Sequence, residues 1–383
     1  MITAVQGASI LPVIASVQPI DEERGSVYFK QIRHATTKGT GTAGQVVVDP
    51  RTGVTTSQGY ASNILEAVTI ATSASGTVSY TATLVGPIKR ESFVISLATT
   101  NVQGKDVGNG AIWGAGVSGT IDYITGVVTL TFAADPGAGK AIVATYQQNY
   151  ELSTDLPQID SFYDSKSVMA RVYALKGTIG MLQSYGMTKR FGMVAEDELA
   201  KDLVQEINRE IGGDMIRKLA NVALGLTTWS RTPPAGVSYF EHKQTFKDAL
   251  QQAEATIVGN AGRGTISVLV VGKDTAAIIA TLPGFQKLSD GTTLGSHVYG
   301  TLDGVTVVRV IEPNILGGYE GLALWKGQSP WEAAAVYAPF MPLSVTDALP
   351  QAPNPLISMK AAAVWCGVET LVPQYVTKFN VIA

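Results

Sequence analysis

Three histidines, one cysteine and one glycine-rich turn are the parts of this 383-residue chain that could do chemistry. His34, His242 and His297 are far apart, with no HxH or HExxH spacing, so with Cys366 they do not form a metal-binding pattern. No GxSxG elbow sets up a nucleophile for a Ser/His/Asp relay, and each histidine reads as a lone surface residue. The turn DPGAGKA at 135–141 has the Gly-Lys pair of a phosphate loop, but Ala134 stands where the first glycine is needed and Ala141 where Ser or Thr should follow Lys140. It also joins two strands rather than a strand and a helix, and so reads as a turn. Asp160 with Asp164, and Glu206 with Glu210, have the helical spacing of an acid pair. They read instead as solvated faces, with Glu206 paired to Arg209 three residues on. Trp325 and Trp331 lack the flanking cations of a base-stacking platform and fit a core or an interface. Cys366, in KAAAVWCGVETLV, reads as a buried strand residue. Nothing here implies an enzyme, a cofactor or a metal.

With no catalytic constellation to position, the organising element is EDELAKDLVQEINREIGGDMIRKLANVALG, residues 196–225. Leu199, Leu203, Ile207, Ile211, Met215 and Leu219 recur every four residues, with Val204 and Ile216 widening the stripe, which predicts one long amphipathic helix over 196–224. Its acidic first turn suits the helix dipole, and Gly225 supplies a stop. Gly212 and Gly213 interrupt it, each at a cost of about 1 kcal/mol against alanine, so a bend is expected there and the pair is a candidate hinge.

Composition sets the class. A hydrophobic fraction of 45% with 15% charged residues is high for a soluble chain, so much apolar surface must be hidden inside it or between copies of it. A net charge of −3 gives no footprint for a nucleic-acid reader. The single cysteine excludes an internal disulfide framework. No run of 18 apolar residues and no basic leader points to a membrane span or a secretory signal.

In chain order, residues 1–24 read as an extended apolar arm, because ILPVIASVQPI carries two prolines. SVYFKQIRHATT at 26–37 is a strand leading into a glycine-rich tip, one side of a long hairpin whose return strand is not evident locally. Short alternating segments from about 62 to 150, punctuated by turns at Thr125-Gly126 and at 135–140, predict a small antiparallel sandwich or barrel. SKSVMARVYALKGTIGM then leads through a short polar stretch into the long helix. HKQTFKDALQQAEATIVGN is helical and SVLVV is a strand buried on both faces. DTAAIIATLPGFQKL is a helix capped by Asp274 or Thr275. GVTVVRV, GLALWKG and two C-terminal strands follow, the last two returning beside the long helix.

The segments VMARVYALKGTIGMLQSYGM, AEDELAKDLVQEINREI and TFKDALQQAEATIVGNAGRGTISVLVV, in this order and spacing, resemble the major capsid proteins of tailed bacteriophages, especially the T4-like branch. SVQPIDEERGSVYFKQIR, YGTLDGVTVVR and VYAPFMPLSV add to the resemblance, whose most specific part is EINREI at 206–211. It covers most of the chain outside 62–150.

The resemblance implies an α+β, HK97-like fold. Residues 1–25 would be the arm and 26–61 with 151–164 the extended-loop region. Residues 165–240 and 346–383 would form the peripheral domain around the spine helix, and 241–345 the axial domain. Residues 62–150, without a counterpart, would be an inserted all-β domain. Tyr28, Lys30, Arg33 and Lys38 become the candidate contacts between subunits. The implied function is a non-enzymatic coat protein that self-assembles into hexamers and pentamers of an icosahedral virion head. It would form in the host cytoplasm around double-stranded DNA held nonspecifically, with scaffold, portal and decoration proteins as further partners and no membrane. An encapsulin-like nanocompartment shell is the alternative within the same fold, and a β-rich adhesin or tail component one outside it. The chain departs from the family in three ways. No acidic propeptide precedes the arm, so scaffolding is separate or the chain starts downstream of a removed segment. Lysine–asparagine crosslinking has no identifiable partner for Lys30 or Lys38. The arm is short.

Overall fold

A computed structural model of the chain describes residues 10–49, 53, 54, 57, 59–97, 101–153, 156–289, 295–351, 354 and 356–382. The first nine residues of the expected arm lie outside them. The chain forms two compact units, one of Met1–Gln31, Val48–Val54 and Tyr163–Ala383, the other of Ile32–Val47 and Thr55–Phe162.

In the first unit, one sheet has the strand order Ser16–Val17, Ala335–Val345, Ile357–Thr370, Arg171–Gly180, with Leu349–Pro350 beside the third strand. The spine helix, Ala195–Val222, packs on this sheet through Leu203, Ile207, Ile211, Met215, Ile216 and Leu219, all buried. It approaches closely because a side chain is missing below it: a Cβ on Gly177 would lie 2.7 Å from Leu199 Cδ1 and 3.3 Å from Leu203 Cδ2. The Tyr173 phenol, pushed up by burial and by the Asp214 carboxylate, stays protonated and donates to that carboxylate at 3.0 Å.

A second sheet of this unit runs Leu226–Ser230, Val376–Ile382, Glu320–Leu324, Val268–Gly272, Val305–Val310, His297–Leu302, Phe285–Lys287. Its first pair and the pair Val268–Gly272 with Val305–Val310 are parallel. Every residue of Val268–Gly272 is buried, as its unbroken apolar run requires. The helix Phe246–Ala261 adds Phe246, Leu250, Ala253 and Ile257 to the core of this layer.

Several sequence expectations are corrected. Val376–Ile382, expected in the peripheral domain beside the spine helix, lies inside the second sheet, where Phe379 and Val381 join Trp229 and Phe246 in one core. Ala335–Val345 pairs with Ile357–Thr370, and its small buried residues Ala335, Val336 and Ala338 sit in the spine-helix core. Leu11–Ile14 is a helical turn rather than extended chain; Pro12 falls in its first turn, where a missing N–H costs nothing, and Leu11 and Ile14 are buried. The helix Lys273–Ile279 is not capped by Asp274 or Thr275, since Gly272 holds the cap position and the backbone N–H groups of both residues donate to Gly318 O. The spine helix ends at Val222, and Gly225, at φ +82°, turns the chain into the next strand. The return strand of the hairpin is Val46–Asp49, next to Arg24–His34 in its sheet. Asp160 and Asp164 lie on a strand, Ile159–Met169, not a helix.

The second unit is built on eight antiparallel strands in the order Ile64–Thr72, Ala141–Gln147, Val94–Leu97, Asn101–Asp106, Ala111–Gly114, Val117–Ile121, Val127–Phe132, Ser79–Thr83. Phe93, Ile95, Ile112, Leu130, Ile142 and Tyr146 fill its core. Buried Asp106 ties its loops together, accepting from the Tyr123 hydroxyl at 2.6 Å and from the Glu91 and Gly108 amides at 2.6 and 2.9 Å.

Candidate functional site

The histidines are structural. All three are buried, which corrects the surface reading. His242 Nε2 lies 2.8 Å from Ser230 O with its ring stacked on Trp229, and His297 Nδ1 lies 2.9 Å from Gly295 O. His34 Nε2 meets Ser57 Oγ at 2.9 Å while its ring packs against Tyr60. Burial holds the Cys366 thiol up at about 12, so it remains an inert core group. Trp325 packs edge-on to Tyr375 and is no stacking platform. Among the described residues no cluster of His, Cys, Asp and Glu could hold a metal, and no helix is long and apolar enough to cross a membrane.

What remains is exposed apolar surface, concentrated in one run of the chain. Along 159–194, Ile159, Phe162, Tyr163, Met169, Val172, Met181, Leu182, Tyr185, Phe191, Met193 and Val194 are all exposed. The strands Ile159–Met169 and Arg171–Gly180 are each the last strand of their sheets, a position whose open backbone groups invite pairing. The helix Met181–Phe191 follows, closed by Gly192 in the left-handed conformation, and it buries no residue at all. Its attachment to the spine is polar: Ser184 Oγ donates to the Glu196 carboxylate at 3.0 Å. Isolated helices of this length are marginal in water and draw their stability from packing an apolar face. This helix therefore needs a partner.

The sequence reading took this stretch for a polar link and missed the helix. Gly180 and Gly192 at its ends, with Met181, Leu182 and Tyr185 at i, i+1 and i+4, were the available signal.

Of the candidate contacts, Tyr28 is exposed on Arg24–His34, although its backbone N–H and C=O are both held by the Gln18 side chain. Lys30 is half-buried on the same strand. The Arg33 guanidinium lies 4.2 Å from the centroid of the Phe162 ring. Lys38 is buried and its ammonium donates to Ser62 O at 2.6 Å and to the Tyr150 hydroxyl. Gly212 and Gly213 are buried inside an uninterrupted helix. A Cβ on Gly212 would lie 3.1 Å from Ile10 Cδ1, and one on Gly213 2.7 Å from Ile315 Cδ1. Both glycines thus let neighbouring isoleucines close on the spine.

The exposed apolar run along 159–194 is surface of the kind that packs against another chain. The sequence model of the major capsid protein Gp23 family matches residues 1–361, and the chain belongs to that family. It is a major capsid protein of a tailed bacteriophage, and shell formation is general in the family. No curated protein matches the sequence. Similar solved structures include the capsid of Myoviridae phage XM1, 10% identical, with 82% of this chain and 90% of that chain covered at a TM-score of 0.39. A Mycobacterium phage Bobi chain is 10% identical, with 82% and 89% covered at 0.37. The virus-like particle from Pyrococcus furiosus is 7% identical, with 60% and 83% covered at 0.36. These likenesses are loose, and the family match alone carries the assignment.

Proposed function

We propose that this capsid protein works without chemistry of its own, as the repeated subunit of hexamers and pentamers that close an icosahedral head around double-stranded DNA in the host cytoplasm. The observation that carries this reading is the run 159–194, whose exposed strands and unpartnered helix demand coverage by copies of the same chain. The division of labour follows the HK97-like plan. Residues 1–25 form the arm, 26–61 and 151–164 the extended loop, and 62–150 an inserted β-domain. Residues 165–240 with the strands 335–345 and 357–370 form the peripheral domain, and 241–334 with the C-terminal strand the axial domain. Tyr28, Lys30 and Arg33 face the neighbour in this plan, and Lys38 braces the loop from within. With a net charge of −3, confinement rather than a basic surface holds the genome. Scaffold, portal and decoration proteins are further partners.

Negative-stain microscopy of the purified chain, alone and with a candidate scaffold, tests the reading. Closed shells or six-membered rings are expected; a stable monomer under all conditions would overturn it.

In the same plan Gly212 and Gly213 are where the spine changes curvature as the shell changes size. Gly213→Ala should raise subunit stability in thermal unfolding by up to about 1 kcal/mol, because half-buried Ile315 can turn aside while the helix gains propensity. Gly212→Ala should gain less, because Ile10 is buried. Unchanged assembly and expansion in the double alanine variant would remove the hinge role.

A further inference from the structure

We propose that one loop end of the eight-stranded domain binds a sugar acid, a pyranose ring carrying a carboxylate. The site is a pocket of about 420 Å³ where three loops of that domain meet, a size within the range of small-ligand sites. Arg90 comes from the segment before Val94–Leu97, and Gly108, Asn109 and Gly110 from the turn between Asn101–Asp106 and Ala111–Gly114. Asp122 and Tyr123 come from the turn that follows Val117–Ile121. The proposal goes beyond the shell reading and does not depend on it.

The pocket is held firmly and its polar groups are not used up. The Tyr123 hydroxyl donates to Asp106 Oδ1 at 2.6 Å and accepts from the Gly110 N–H at 2.9 Å, which fixes the ring. Gly108 and Gly110 both have φ +87°, and their bare backbone lets a ligand come close. Asn109 Oδ1 accepts from the Ala111 N–H at 3.0 Å, which orients the amide and leaves its NH2 group without an acceptor among the described residues. The Arg90 guanidinium lies 5.5 Å from the centroid of the Tyr123 ring and has no hydrogen bond or ion pair among the described residues. Asp122 supplies an acceptor. The Thr125 hydroxyl, then the Ile124 and Thr125 amides, hold its carboxyl below the ordinary value, so it is ionised. Those three bonds leave one of its about four lone-pair positions open. A ligand is thereby sorted by its two ends. A carboxylate matches the Arg90 fork, which gives it two parallel bonds, and the Asn109 NH2 group. A hydroxyl matches Asp122, and the C–H face of a pyranose packs on the Tyr123 ring. A ligand with charge at both ends would meet Asp122 with its like, and a neutral one would leave the Arg90 fork unused.

Saturation-transfer NMR on the full chain, with D-glucuronate, D-glucose and acetate as probes, tests this. D-glucuronate should bind about ten-fold more tightly than either of the others, because only it offers both ring and carboxylate. Arg90→Ala should lower its affinity to that of D-glucose, and Arg90→Lys should recover only part, since lysine lacks the fork. Lys105→Ala removes an exposed cation of the same domain that does not line the pocket, and should leave binding unchanged. Arg90 is exposed, so thermal melting of its variants should stay at the wild-type value. Hyaluronan fragments carry the same ring within a chain: tighter binding than D-glucuronate assigns a polysaccharide, weaker binding the free sugar acid. Absent binding of D-glucuronate, equal binding of the three probes, or an equal loss with Lys105→Ala overturns the site. Particles that form but do not bind D-glucuronate leave the shell reading standing, whereas a chain that binds it and stays monomeric overturns the shell reading alone.

Discussion

Replacing Ile207 with alanine should cost about 2–5 kcal/mol of subunit stability, read as a lower denaturation midpoint with an unchanged slope. Ile207 is fully buried at the middle of the spine helix, and the core around it also contains Leu203, Ile211, Tyr173, Ala362 and Val364. The cavity has little means of collapsing. Gly177 already brings sheet and helix together at Leu199 and Leu203, and the Tyr173–Asp214 hydrogen bond fixes the spacing one turn beyond Ile211. The whole volume of the lost side chain should therefore remain as a void, which places the loss in the upper part of the range. Leu199→Ala, at a half-buried position on the same stripe, should cost clearly less. Equal losses at the two sites would mean that the helix, rather than its packing on this sheet, sets the stability of the unit. The variant should also assemble poorly at temperatures where the wild type still forms particles, because only folded subunits enter the shell.

The same stripe shows what a sequence can reveal. A four-residue apolar period placed the spine at 196–224, and the structure has it at Ala195–Val222; a helix this long with one buried face writes its packing into local spacing. The buried strand SVLVV was legible for the same reason. Strand partnership was not. Alternation in YVTKFNVIA shows that Phe379 and Val381 share a face, but nothing local says that this face joins Trp229 and Phe246 rather than the spine. The partner of Ala335–Val345 was hidden likewise, since it begins at Ile357 beyond a long connection. Lys38 looked free because Ser62 and Tyr150, which hold it, lie 24 and 112 residues away. The histidines looked superficial because their burial comes from distant elements. The helix Met181–Phe191 escaped for another reason. It buries nothing within the subunit, so Gln183, Gly186 and Thr188 blur its period, and its apolar stripe makes sense only against a partner.

Glu369→Gln should remove about 1–2 kcal/mol at neutral pH and flatten the acid limb of the stability profile. Glu369 Oε1 lies 3.2 Å from Lys166 Nζ and Oε2 2.8 Å from Lys218 Nζ, linking the last part of the strand Ile357–Thr370 to the spine helix and to Ile159–Met169. Burial alone would raise its carboxyl; hydrogen bonds and charge from Lys218, then Lys166, overcome this and hold it below the ordinary carboxylate value. A carboxyl with a lowered folded pKa contributes stability above its unfolded value, about 4.3, and that contribution disappears as pH falls through the folded value. The melting temperatures of the wild type and the Glu369→Gln variant should therefore differ at pH 7 and converge as the pH falls through the lowered folded value. The loss stays modest for two reasons. Lys166 and Lys218 retain hydrogen bonds to Thr370 O and Val368 O, both at 2.7 Å, and both lysines are partly open to solvent, which screens the pair. A constant offset at every pH would assign the effect to packing of the side chain rather than to its charge. Convergence would show that this carboxylate makes the junction of spine and sheet sensitive to acid.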